Sequence, residues 1–119
     1  MRPKHIERGN LEQDTRLFLN KNSILCDEKS IEYISNRRYL FECLKRLNDQ
    51  VVRDFSTHVV GKIIGYFKDQ EEGLESINLD ILTDVGIDES LDLLERLFDW
   101  WITVEERVRA SVSITVSPK

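Results

Sequence analysis

The sequence has few of the residues that break or cross-link a chain. Its 119 residues include two prolines, five glycines and two cysteines. Cys26 and Cys43 have no second cysteine or histidine at metal-ligand spacing, so the sequence indicates neither a zinc site nor a disulfide framework. We therefore expect no metal ion, no cofactor and reduced thiols.

Long apolar runs are also missing. No stretch approaches the roughly 18 apolar residues of a membrane span, and the start of the chain lacks the apolar segment of a signal peptide. We therefore expect an intracellular, cytoplasmic protein that does not enter a membrane.

Positive charge is scarce in the second half of the chain. Arg96 is the only basic residue between residues 69 and 106, a segment rich in Asp and Glu, and the net charge of the whole chain is −5. Neutralisation of phosphates supplies most of the affinity for nucleic acid, so duplex DNA or RNA is not an expected partner. The acidic segment is either a surface for a basic partner or a second copy, or a solvated face that maintains solubility.

Apolar residues at helical spacing are abundant. From Ile31 to Phe67 they recur at intervals of three and four residues, which favours helix, and Gly61 and Gly65 would lie on one face of it. One unbroken helix over this range would be about 55 Å long at 1.5 Å per residue. A break near residues 48–50 or 56–57 is therefore expected, although one helix and two helices both remain open.

These patterns together predict an all-α fold, a single-domain bundle of four to five helices at residues 10–109. A flexible N-terminus at residues 1–9 and a C-terminal tail at residues 110–119 would flank it. Residues 77–83 are predicted as a short helix or turn. The tail alternates apolar with Ser or Thr residues, as strands do, so it would pair with another chain, pair with its own copy across a dimer, or be disordered.

The segment from Leu91 to Val108 has more apolar surface than one helix normally buries. At 100° per residue its apolar side chains fill an arc of roughly 200°, about twice the minimum stripe of a surface helix. One side of the arc carries Leu91, Leu94, Phe98 and Ile102, the other carries Leu93, Trp100 and Val104, and Leu97, Trp101 and Val108 lie between them. Such a helix is either central in its own domain or shared with a second chain.

We therefore predict a non-enzymatic, regulatory interaction module that self-associates as a homodimer or docks a protein partner. Trp100 lies at the edge of the arc, where tryptophan is a frequent interface anchor, although it could also cap the rim of its own core. The predicted partner-binding residues are Leu93, Leu97, Trp100, Trp101 and Val104.

The alternative function is enzymatic and depends on a short motif. Arg53-Asp54-Phe55-Ser56-Thr57-His58 resembles the Arg-polar-x-x-x-His motif of the HEPN ribonucleases, which are all-helical domains. The resemblance implies that Arg53 would stabilise the phosphate and that His58 would act as acid and base. Arg53 and His58 would then have to share a cleft, and the rest of the sequence shows no further catalytic motif.

Overall fold

The computed structural model describes residues 2–119, with side chains described from Leu11 onward. The flexible segment predicted for residues 1–9 falls outside the part whose side chains are described, and it stays a prediction. The helices are α1 (Arg2–Lys21), α2 (Glu28–Ser35), α3 (Arg38–Phe55), α4 (Ile87–Trp101) and α5 (Glu106–Arg109), and the strands are β1 (Ile24–Cys26), β2 (Val59–Lys68), β3 (Glu75–Thr83) and β4 (Val112–Ser117).

The four strands form one mixed sheet in the order β1-β2-β3-β4. Strands β2 and β3 form an antiparallel hairpin, whereas β1 pairs parallel to β2 and β4 pairs parallel to β3. Parallel neighbours need a crossover connection. Here α2 and α3 connect β1 to β2, and α4 and α5 connect β3 to β4.

The prediction of an all-α bundle is therefore wrong, and the fold is α/β. Helix was predicted over residues 59–67, which form most of β2, and a short helix or turn was predicted where β3 lies. Ile63 and Phe67 are four residues apart, and an interval of four is an even number that also keeps side chains on one face of a strand, whereas a β-bulge between Val59 and Gly61 turns Val59 to the other face. The spacing therefore did not distinguish the two structures.

The long helical range predicted from Ile31 to Phe67 is interrupted at two places. Helix α2 ends at Ser35 and α3 ends at Phe55, so the break near residues 48–50 does not occur and the one at 56–57 does. Ser56 has a φ of 52°, a left-handed conformation that ends the helix before β2 begins. Helix α3 is amphipathic and presents a continuous apolar face to the core: Leu40, Phe41, Leu44, Leu47, Val51 and Phe55.

Helices cover one face of the sheet, and the core lies between the two layers. Ile64 of β2 and Ile77, Leu79 and Ile81 of β3 are buried there. The side chains that point to the opposite face are more exposed, and they include Leu25, Ile63 and Phe67. On the same face, β3 and β4 carry hydroxyl, amide and carboxylate groups that are linked by hydrogen bonds: Asn78, Asp80, Ser113, Thr115 and Ser117.

The C-terminal tail is the one strand that the sequence pattern indicated. Val112 to Ser117 form β4, which pairs with β3 of the same chain rather than with a second chain. We expected an intermolecular partner for the tail because no other strand was predicted in the chain. Strand β3 is that partner, so no second chain is needed. Local side chains set the bounds of the first two helices: α1 ends at Lys21, and the Asp27 carboxylate caps α2 by accepting a hydrogen bond from the Ser30 N–H at 2.8 Å.

Candidate protein-docking surface on helix α4

Helix α4 is fixed to the end of β3 by a buried pair of hydroxyl groups. The Oγ atoms of Thr83 and Ser90 are 2.7 Å apart, and both residues are buried. Asp88 and Glu89 lie in the first turn, where negative charge interacts favourably with the helix dipole. The helix is therefore held in one rotational orientation, which decides which of its side chains face the core.

The inner face of α4 and the turn that follows the helix carry most of the residues that the sequence analysis assigned to partner binding. Leu93, Leu97, Trp101 and Val104 are all at most 8% exposed and belong to the core of the chain itself. Trp100 is half-buried beside Trp101, with 6.0 Å between the ring centroids. Four of the five predicted docking side chains are thus inaccessible to a partner of the folded chain.

The outer face carries the other side of the apolar arc. Ile87, Leu91 and Ile102, the residue that caps the end of the helix, are 53%, 47% and 66% exposed, and Leu94 and Phe98 between them are half-buried. At 100° per residue these five side chains fall within an arc of about 80° along one side of the helix. They form a continuous apolar stripe, exposed at Ile87, Leu91 and Ile102 and half-buried at Leu94 and Phe98, which is called the outer stripe below.

A row of acidic residues runs alongside the outer stripe. Asp88, Asp92, Glu95 and Asp99 are exposed, and each follows directly after a residue of the stripe. In the part of the chain whose side chains are described, none of these four carboxylates forms a salt bridge. The row is therefore a strip of uncompensated negative charge beside an apolar surface.

Acidic groups flank His58, one of the two residues of the ribonuclease resemblance. Arg53 is exposed on the last turn of α3, and His58 lies in the 3₁₀ turn that follows. The His58 Nδ1 is 3.1 Å from Asp84 Oδ1, and its Nε2 is 3.8 Å from Glu89 Oε2. Two carboxylates around the imidazole repel a phosphodiester, and the α/β fold differs from the all-helical domains that carry the motif.

A cleft between α2 and the sheet contains cations that the sequence analysis did not single out. The guanidinium of Arg37 lies 3.7 Å from the centroid of the Tyr33 ring and 3.7 Å from Glu75 Oε1. The Tyr66 hydroxyl donates to the same carboxylate, which raises the pKa of Tyr66 to about 12. The cleft encloses about 460 Å³, but Glu75 of the chain itself already occupies the position that an anionic ligand would take.

Lys62 is a second feature that the sequence analysis missed. It lies on the core-facing side of β2, and its ammonium donates to Asn48 Oδ1 at 2.7 Å. Asn48 in turn donates to Asn22 Oδ1 at 3.1 Å. Burial lowers the pKa of Lys62. The Asn48 amide solvates this cation and is itself held by Asn22, so we interpret the chain of contacts as structural.

The remaining reactive groups do not form a site. Burial raises the pKa of the Cys26 thiol to about 12 and also raises that of Cys43, which keeps both thiols protonated and weakly nucleophilic near neutral pH. Among the described side chains, no three His, Cys, Asp or Glu residues are close enough to hold a metal ion. None of the helices in the described range is long and apolar enough to cross a membrane.

Comparisons with protein-family models, with curated proteins and with solved structures found no match to this chain. The assignment of function therefore depends on the surface of the molecule itself.

Proposed function

We propose that this chain is a non-enzymatic protein–protein interaction module that docks a partner through the outer stripe of α4. The proposal keeps the helix that the sequence analysis singled out and moves the contact residues to the opposite side of the apolar arc. The observation that carries it is the exposure of Ile87, Leu91 and Ile102 on one side of a helix whose other side already fills the core.

Exposed apolar residues scattered singly need no explanation, but a contiguous row of them is typical of a binding surface. The outer stripe extends from Ile87 to Ile102, which is about 22 Å along the helix axis at 1.5 Å per residue. This length corresponds to four helical turns and is sufficient for a helix-in-groove or helix-on-helix contact. The acidic row beside the stripe keeps the uncovered surface soluble in the absence of a partner.

The proposal is tested by photo-crosslinking in the native host. A benzophenone amino acid is placed singly at Leu91, Phe98 or Ile102 in the outer stripe, and at Glu89 or Arg96 on the polar side of the same helix as matched controls. We expect one adduct of constant mass at the three stripe positions, with yields several-fold above those at the controls, because only the stripe would contact the partner.

The supporting result is a high yield at the stripe positions together with a low yield at the control positions. Capture of a protein by itself does not support the proposal. Equal yields at stripe and control positions, or no adduct at the stripe, would overturn it. An adduct of twice 14.0 kDa would show that the partner is a second copy of the chain.

A further inference from the structure

The acidic row runs in register with the outer stripe. The stripe residues Ile87, Leu91, Leu94 and Phe98 are each followed by an acid, so the two rows share the spacing i, i+4, i+7, i+11. Eleven residues in three turns correspond to 3.67 residues per turn, close to the 3.6 of a straight helix. The two rows therefore stay side by side over the whole length of α4.

Taking the outer stripe as the docking surface proposed above, we infer that its partner is a basic amphipathic helix. Such a helix would place its apolar side chains against the stripe and a row of Lys or Arg against Asp88, Asp92, Glu95 and Asp99. Paired charges of this kind set orientation and specificity more than affinity, whereas the apolar contact supplies most of the binding free energy. The acidic row therefore selects the partner, and the outer stripe supplies most of the binding free energy.

A second copy of the chain does not satisfy this surface. Two α4 helices packed antiparallel about a two-fold axis would place the flank that carries the acidic row against the same flank of the other copy. Like charges at facing positions are destabilising, and Arg96 is the only basic residue of α4. A partner with basic residues in its flanking row removes this repulsion.

Two synthetic helical peptides test the inference. Both carry Leu at positions i, i+4, i+7 and i+11 in an Ala- and Gln-rich background. One has Lys in the row that flanks the leucines, and its twin has Glu at the same positions. Binding to the full chain is measured by isothermal titration calorimetry at low and high salt.

We expect the Lys peptide to bind about tenfold more tightly than its Glu twin, since four attractive charge pairs take the place of four repulsive ones. The preference should shrink at high salt, because exposed charges are screened. In the variant D92K/E95K the preference should decrease or reverse. In L91Q binding of the Lys peptide should weaken, whereas L17Q, which changes an exposed leucine on α1, should leave it unchanged.

The outcomes separate this inference from the proposed function. Equal binding of the two peptides, weakened in L91Q, would overturn the choice of a basic partner and leave the docking surface intact. Binding that L91Q and L17Q reduce equally would overturn both. Absence of binding by either peptide would overturn the helical partner, and the crosslinking pattern would still decide whether the outer stripe docks a protein. Circular dichroism of each variant establishes that its fold is retained.

Discussion

The two sides of helix α4 are similar in composition and different in environment. Leu93 and Leu97 on the inner side are buried against α3 and the sheet, whereas Leu91 on the outer side of the same helix is 47% exposed. The sequence shows two apolar sides but does not rank them. The position of the neighbouring elements decides which side becomes core, and the remaining side stays exposed.

The largest effect should come from truncation of the inner side. Leu97→Ala removes a fully buried side chain and leaves a cavity, which we expect to lower the free energy of unfolding by about 2–5 kcal/mol. Leu91→Ala, its matched control on the outer side, should change it by less than about 1 kcal/mol. Urea denaturation of both variants measures the difference, and equal losses would contradict the distinction between the two sides.

A smaller effect should follow from the hydroxyl pair that fixes the orientation of the helix. Ser90→Ala leaves the buried Thr83 hydroxyl with only its longer contact to the Val85 carbonyl at 3.4 Å, and we expect a loss of about 1 kcal/mol. The double variant T83V/S90A replaces both polar groups and should recover part of this loss. Thermal or chemical denaturation of Ser90→Ala, Thr83→Val and the double variant measures the coupling free energy between the two hydroxyl groups. Strictly additive losses would show that the two hydroxyls do not interact.

The smallest effects should come from the acidic row, and they should have opposite signs at the two ends of α4. Asp88→Lys places positive charge in the first turn, where the helix dipole disfavours it, and should destabilise the fold by about 0.3–1 kcal/mol. Asp99→Lys places the same charge near the last turn and should stabilise the fold by a few tenths of a kcal/mol. If both variants shift the unfolding midpoint in the same direction, the charges act through contacts other than the dipole.

The sequence predicted the local structure well where one period was unambiguous. Helix α3 has apolar residues at both three- and four-residue intervals, and only a helix brings such residues to one face. Strand β4 alternates strictly, and only a strand does that. The end of α1 at Lys21 and the cap at Asp27 were also predictable, because they depend on side chains within a few residues of each other.

Prediction failed for β2 and β3 because their formation depends on each other. Val59, Ile63 and Phe67 fit either period, and the two glycines of β2 were assigned to a helix face rather than to a strand. The alternation of Ile77, Leu79 and Ile81 in β3 was a signal that could have been used. A strand is stable only beside another strand. Because the β2–β3 hairpin was missed, no sheet was predicted and the fold class was given as all-α instead of α/β.

The proposed docking surface lies on the helix that the sequence singled out, but on the side of its apolar arc opposite to the predicted partner-binding residues. The sequence by itself determined that α4 would be amphipathic on two sides, because the apolar arc follows from residue identity and the 100° rotation per residue alone. Only the tertiary structure decided that Leu93, Leu97 and Trp101 face the core and that Ile87, Leu91 and Ile102 face outward. The physical reason is that burial is a property of what surrounds a helix, and those surroundings are a sheet built from strands distant in the sequence.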